Sequence, residues 1–248
     1  MNKVFLIDIG NSSIDVGVGS KRGVRFLFKL SASEDSFPWL RQKLGNRGEN
    51  SYLIFSSVVP SLSKSLRFFL KKNFLILECG KEVQIPIRNL YYKKKEVGQD
   101  RLLNCFAARQ LYEKTRVVVD LGTALTFDFI SEAGEYLGGL IVPGASLSRK
   151  ALLQRAALLP QEVRFRPPKN LIAKTTAGCI NAGIYFGYSL MIKGVLDYYR
   201  RKLKNDFVSL GCGGDIRYIS LKLSSLDYLE PYLSLKGLYL LAKYRNII

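Results

Sequence analysis

Two stretches of this sequence place a carboxylate, a glycine and hydroxyl or amide side chains at the end of an apolar run. The first is Val4-Phe5-Leu6-Ile7-Asp8-Ile9-Gly10-Asn11-Ser12-Ser13, and the second Val117-Val118-Val119-Asp120-Leu121-Gly122-Thr123-Ala124-Leu125-Thr126. In each, the Asp closes a hydrophobic run, the Gly permits a tight turn, and Asn, Ser or Thr supplies donors at the bend. Such a turn can cradle a phosphate with backbone N–H groups while its carboxylate faces the phosphate's cation. One Asp-x-Gly alone reads as an ordinary hairpin. Two, each near the start of a half-chain, point to a duplicated phosphate-binding fold.

A third cluster, Gly98-Gln99-Asp100-Arg101, opens a helical pattern that runs through Asn104, Ala107, Ala108 and Leu111. A helix N-terminus favours anions, and Arg101 can pair with a carboxylate. The chain contains no histidine, which removes Ser-His and Cys-His nucleophiles and His-ligated metals. Acid–base work then falls to Asp, Glu, Lys, Tyr or Cys. Asp100 can accept a proton there, but from the residues alone an N-cap aspartate is the plainer reading.

Elements to position these groups follow from periodicity. Strands are predicted at 3–8, 14–18 and 23–30, the last with Leu27 blurring its alternation, and then at 52–55 and 74–77. Helices are predicted at 34–44 and from Pro60, where Leu62, Leu66, Phe69 and Leu70 share a face. The second half repeats the opening with strands at 116–120, 124–130 and 136–142. Helices at 145–157 and 176–204, an apolar run 207–210, a further helix after Asp215 and a last one at 233–244 complete it. The expected architecture is α/β, two duplicated halves, 1–115 and 116–248, with a ligand cleft between them.

At 248 residues, 48% hydrophobic and 23% charged, the chain can bury a real core. No segment reads as an uninterrupted membrane span, and Asp8 and Asn11 interrupt any N-terminal export signal, so a cytoplasmic protein is expected. Four scattered cysteines suit a reduced compartment without a zinc site. The net charge of +18 is spread out, with short runs only at Lys93-Lys94-Lys95 and Arg200-Arg201-Lys202. It reads as a basic surface attracting anionic substrates rather than as a nucleic-acid site.

Together these motifs resemble the type III pantothenate kinases of the acetate and sugar kinase/Hsc70/actin superfamily. The resemblance rests on Asp8 to Ser12, on Tyr91 followed by Lys95 to Arg101, and on Asp120 to Asp128. It continues through Gly138 to Gly144, Thr176 with Gly183 and Gly187, Gly213-Gly214 and Leu235 to Leu238. It implies duplicated actin-like (ribonuclease H-like) halves, a homodimer, and ATP-dependent phosphorylation of pantothenate to 4′-phosphopantothenate, the first step of coenzyme A biosynthesis. It assigns ATP to Asp8, Ile9, Gly10, Asn11, Ser12, Ser13, Ile14, Asp15, Thr123, Gly213 and Gly214. Pantothenate falls to Tyr91, Gly98, Gln99, Asp100, Arg101 and Thr176, with Asp100 as general base, Tyr92 as an alternative register for Tyr91, and Thr175 one for Thr176. Asp8 would hold Mg²⁺ through the ATP phosphates, and Asp120 a monovalent cation, potassium or ammonium. Ser12 and Cys212 depart from the family's usual hydroxyl residues, Ser12 keeping the hydroxyl in place of Thr. A regulatory transcription accessory protein on the same scaffold, or a kinase for another small alcohol, is the alternative. For the homodimer, the helix 176–204 offers Ile180, Ile184, Met191 and Val195.

Overall fold

The structure, a computed structural model, describes residues 3–45, 51–203, 206–216 and 225–248. Contacts divide the chain into two compact units: Met1–Glu113 with Gly134–Tyr136 and Tyr232–Ile248, and Lys114–Ala133 with Leu137–Pro231. The first break lies beside the expected boundary at 115, whereas the last helix packs with the first unit rather than with 116–231.

The first unit is built on β1 (Val4–Ile9), β2 (Ser13–Ser20), β3 (Gly23–Ser31), β4 (Ser51–Ser57) and β5 (Phe74–Glu78), in the sheet order β3-β2-β1-β4-β5. β1 runs antiparallel to β2 and parallel to β4. Its run is apolar on both faces because both are covered. Phe5, Ile7 and Ile9 pack with Phe37 and Leu40 of α1 (Ser36–Leu44) and with Leu62 and Leu66 of α2 (Pro60–Leu70). Val4 and Leu6 pack on the other face with Leu103 and Phe106 of α3 (Gln99–Leu111) and with Leu235, Leu238 and Leu241 of the C-terminal helix Leu233–Tyr244. The blurred alternation in β3 has a physical cause. Val16 pairs with Phe28 and Gly17 with Phe26, so Leu27 is the extra residue of a β-bulge.

The second unit repeats the order. β6 (Thr115–Leu121), β7 (Ala124–Ile130), β8 (Tyr136–Pro143), β9 (Val208–Cys212) and β10 (Tyr228–Leu229) form the sheet β10-β9-β6-β7-β8. β6 is antiparallel to β7 and parallel to β9, as β1 is to β2 and β4. The duplication is therefore topological as well as sequential. Val117, Val119 and Leu121 pack beneath Ala145 of α4 (Ala145–Arg155) and Tyr188, Ile192 and Leu196 of α5 (Thr176–Leu203). The C-terminal helix is α6. The helix expected after Asp215 falls largely outside the described residues.

Two expectations for α5 need correction. By length and composition it would suffice to cross a membrane, contrary to the expectation that no segment does, although Ile192 and Leu196 lie in the core of its unit. Ile184 and Val195, expected at an interface, pack against that same core. The outward stripe instead carries Gly183, Gly187, Leu190, Met191, Gly194 and Tyr198, and the three glycines look onto open space.

Candidate active site

In the first unit Asp8 stands near the end of β1, directly across from Asp15 on β2 and from Ser56 on β4. Paired residues on neighbouring strands share a sheet face, so the three side chains form a polar row. The turn beyond Asp8 is closed by the Gly10 N–H donating to the Ser13 carbonyl at 2.9 Å. Asn11 and Ser12 project at its tip, exposed. Ile9 and Ile14 are fully buried in the core, which leaves only their backbones to meet a ligand. Asp15 is paired with Lys29 at 3.2 Å.

Burial is the main cause that pushes the Asp8 carboxyl up to about 7, and the neighbouring Asp100 and Asp15 charges push the same way. A hydrogen bond from Ser234 and the Lys29 charge oppose them. Asp15 is raised by burial, partly offset by Lys29. A carboxylate crowded by two others is a place for a cation. Among the described residues, Asp15 Oδ1 and Ser56 Oγ are buried without a hydrogen-bond partner, as suits the shell of a hydrated ion. No group of three or more His, Cys, Asp or Glu side chains there could hold a metal unaided. These residues fit Mg²⁺ that arrives already held by phosphates.

Gly98 is the N-cap residue of α3, with no side-chain cap, and Asp100 lies in the first turn. Asp100 accepts the Arg101 N–H at 2.9 Å, and its Oδ1 folds over Gly98 where any Cβ would collide. Asp100 is therefore not the N-cap, and its charge is one of the causes that raise the Asp8 carboxyl. Gln99 packs its amide over Gly80, whose φ of +81° and missing Cβ make the room.

Of the two tyrosines, Tyr92 is fully exposed. Tyr91 packs its ring 6.4 Å from that of Tyr136, and the Arg101 guanidinium lies 5.8 Å from the same Tyr136 ring. Tyr136 is fully buried and was not a candidate from sequence, where it is simply an aromatic at the start of a strand. Its ring lies between Tyr91 and Arg101.

In the second unit Asp120 occupies the same topological place, two residues before Gly122. There the Gly122 N–H donates to the Ala124 carbonyl at 2.9 Å, closing the turn as Gly10 does in the first unit. Thr123 is exposed at the tip. Gly213, at φ +92°, lies so close to the Asp120 carboxylate and the Leu121 carbonyl that a Cβ there would collide with both. Gly144 leaves similar room beside the Gly122 and Thr123 carbonyls. Gly214 is exposed beside this corner, and Cys212 is buried in register with Asp120. Ser146 donates to Asp215 at 2.8 Å, and the Asp215 N–H donates to the Leu121 carbonyl at 2.9 Å. At the start of α5 the Thr175 hydroxyl accepts the Gly178 N–H at 3.1 Å. Thr175 thus caps the helix, and Thr176 stands exposed beside it.

Comparison with known proteins shows the family. Residues 4–198 match the family model of the type III pantothenate kinases. The type III pantothenate kinase of Bacillus cytotoxicus is 32% identical over 256 residues, covering 99% of this chain and 97% of that protein. Among solved structures, one named as a 2-dehydro-3-deoxygalactonokinase from Sinorhizobium meliloti superposes with a TM-score of 0.61 at 12% identity, covering 99% of both chains. Another, named as a Baf family transcriptional activator from Campylobacter jejuni, gives 0.57 at 22% identity, covering 98% of this chain and 100% of that one. At such identities these two establish the fold, α/β with duplicated actin-like halves. Family match, full-length identity and two matching Asp-x-Gly corners converge: this chain belongs to the type III pantothenate kinases, a family of enzymes.

Proposed function

We propose that this protein transfers the γ-phosphoryl group of ATP to the primary alcohol of pantothenate, giving 4′-phosphopantothenate and ADP, the first step of coenzyme A biosynthesis. The observation that carries the reading is the match to the type III pantothenate kinases, with Asp8 and Asp100 in one unit. That unit pairs a carboxylate for the acceptor hydroxyl with one for the phosphate end. Asp100 orients that hydroxyl and takes its proton as the oxygen attacks the γ-phosphorus and ADP leaves. Arg101 pairs with the carboxylate of pantothenate. Tyr91, Gly98 and Gln99 line that end, and Thr176 contributes its hydroxyl.

Asp8, Gly10, Asn11 and Ser12 meet the phosphates. Mg²⁺ bound with ATP supplies charge neutralisation there, and a monovalent cation on Asp120 does so at the second corner, with Thr123 beside it. Gly213 and Gly214 let the backbone approach the nucleoside. Four cysteines, none of them in a disulfide, suit a reducing cytoplasm.

A homodimer through α5 fits the exposed stripe of Gly183, Gly187, Leu190, Met191, Gly194 and Tyr198. Glycines on that line let a second copy approach closely, and the leucine and methionine offer the apolar contact. The test of the reaction is ADP release by purified protein with Mg·ATP and each of a panel of small alcohols. Release with pantothenate alone supports the reading, and release only with another alcohol, or with none, rejects it.

A further inference from the structure

β8 ends at Pro143, and the chain turns at Gly144 into α4. That turn lies against the β6–β7 corner of the same unit. The Gly144 N–H donates to the Thr123 carbonyl at 2.9 Å, and a Cβ on Gly144 would collide with the carbonyls of both Gly122 and Thr123. The two segments touch backbone to backbone, without room for a methyl group, so any shift of Pro143-Gly144 is passed to the Gly122-Thr123 turn.

Pro143-Gly144 is held in turn from α5. Tyr188 is 8% exposed, and its ring packs in the core that contains Ile192 and Leu196. Its hydroxyl donates to the Pro143 carbonyl at 2.7 Å and meets the Ser148 hydroxyl at 2.7 Å. A phenol carries one proton, so with that proton on Pro143 the oxygen accepts from Ser148. The Ser148 N–H donates to the Gly144 carbonyl at 2.9 Å. Tyr188 therefore ties the last residue of β8 to the first turn of α4. A phenylalanine ring would fill the same core; what the hydroxyl adds is the hold on this turn.

We propose that Tyr188 is a positioning residue for the nucleotide phosphates: through Pro143 and Gly144 its hydroxyl sets the backbone of the Gly122-Thr123 turn, and with it the placing of Thr123. That the phosphates are those of ATP rests on the function proposed above, but the chain of contacts from Tyr188 to Thr123 does not depend on which alcohol is phosphorylated. Loss of a buried hydroxyl that satisfies two partners is large enough to be read in binding.

The test is calorimetric titration of a non-hydrolysable ATP analogue, with Mg²⁺ and potassium present, on wild-type protein, Tyr188→Phe and Ser148→Ala, together with their melting temperatures. Tyr188→Phe should bind about tenfold more weakly. Ser148→Ala, which leaves the Tyr188 bond to Pro143 intact, should stay within about twofold of wild type. Each variant loses a hydrogen bond, so both should melt a few degrees lower; a purely structural hydroxyl would lower the melting temperature and leave affinity unchanged. If Tyr188→Phe does not fold, Tyr188→Phe combined with Ser148→Ala, which removes the hydroxyl left unsatisfied beside the ring, takes its place with the same expectation. Tyr188→Phe binding as tightly as wild type overturns the proposal, as does Ser148→Ala losing as much affinity as Tyr188→Phe. Pantothenate turnover by the same wild-type preparation separates the two readings. A Tyr188 effect on binding without turnover upholds the positioning role and rejects pantothenate as substrate, whereas turnover with equal binding by all variants rejects the positioning role alone.

Discussion

Asp100→Asn separates catalysis from architecture, because the structure limits what else the substitution can disturb. The helix is entered at Gly98, so Asp100 is not needed as its N-cap. Asparagine keeps an oxygen able to accept the Arg101 N–H that Asp100 now accepts at 2.9 Å. The stability lost is then limited to a first-turn carboxylate's interaction with the helix dipole, about 0.3–1 kcal/mol, or a few degrees of melting temperature at most. Loss of a general base should lower kcat by roughly 10²–10⁴-fold, about 2.7–5.5 kcal/mol of barrier. Nucleotide affinity should hold or rise, because Asp100 is one of the charges that keep the Asp8 carboxyl protonated toward neutral pH. The assays are steady-state kinetics with pantothenate, nucleotide titration and thermal melting on the one variant. A kcat within about threefold of wild type, or a kcat loss matched by an equal loss of stability, refutes the assignment.

Three further outcomes follow from the same geometry. Asp8 keeps its proton up to about 7 in the folded protein against 3.8 ordinarily. Between those values the unfolded chain releases a proton that the native state retains, so stability falls as pH rises and levels off above 7. The ligand-free melting temperature should accordingly drop between pH 5 and 8, and Asp8→Asn should flatten that slope; an unchanged slope would place the titration elsewhere. Asp120→Asn should weaken ATP use, with added potassium partly restoring it, and kinetics in potassium-free buffer check this: equal wild-type activity with and without potassium removes the role. Light scattering after size exclusion should give twice 28.0 kDa, and Met191→Asp on the exposed stripe of α5 should yield monomer; a wild-type monomer at micromolar concentration contradicts the dimer.

Local pattern carried most of the elements. The run Ala124–Ile130 is a strand as its alternation predicts, and Pro60 at the first turn of α2 starts that helix where the sequence suggests. Even the blur at Leu27 was a real signal, of a bulge. The Asp-x-Gly corners were legible because the turn chemistry is local. What the sequence hid depends on distant packing. Leu235 and Leu238 reach Leu6 only because α6 returns to the first sheet. Tyr136 links Tyr91 to Arg101 only because the chain segment 134–136 crosses to the first unit. On α5, helical spacing found the apolar residues but not which of them face the core. Ile184 and Val195 turn inward, and the glycines that mark the outward side have no hydrophobic signature.

The central claim is that pantothenate is the phosphoryl acceptor and that Asp100 activates it. Its most direct test is mass spectrometry of the product formed from pantothenate and Mg·ATP by the purified protein and by Asp100→Asn, with potassium present. The account predicts one added phosphoryl group, on the primary alcohol, from wild type, and at least a hundredfold less from the variant. Unmodified pantothenate from wild type, or equal product from both proteins, would contradict it.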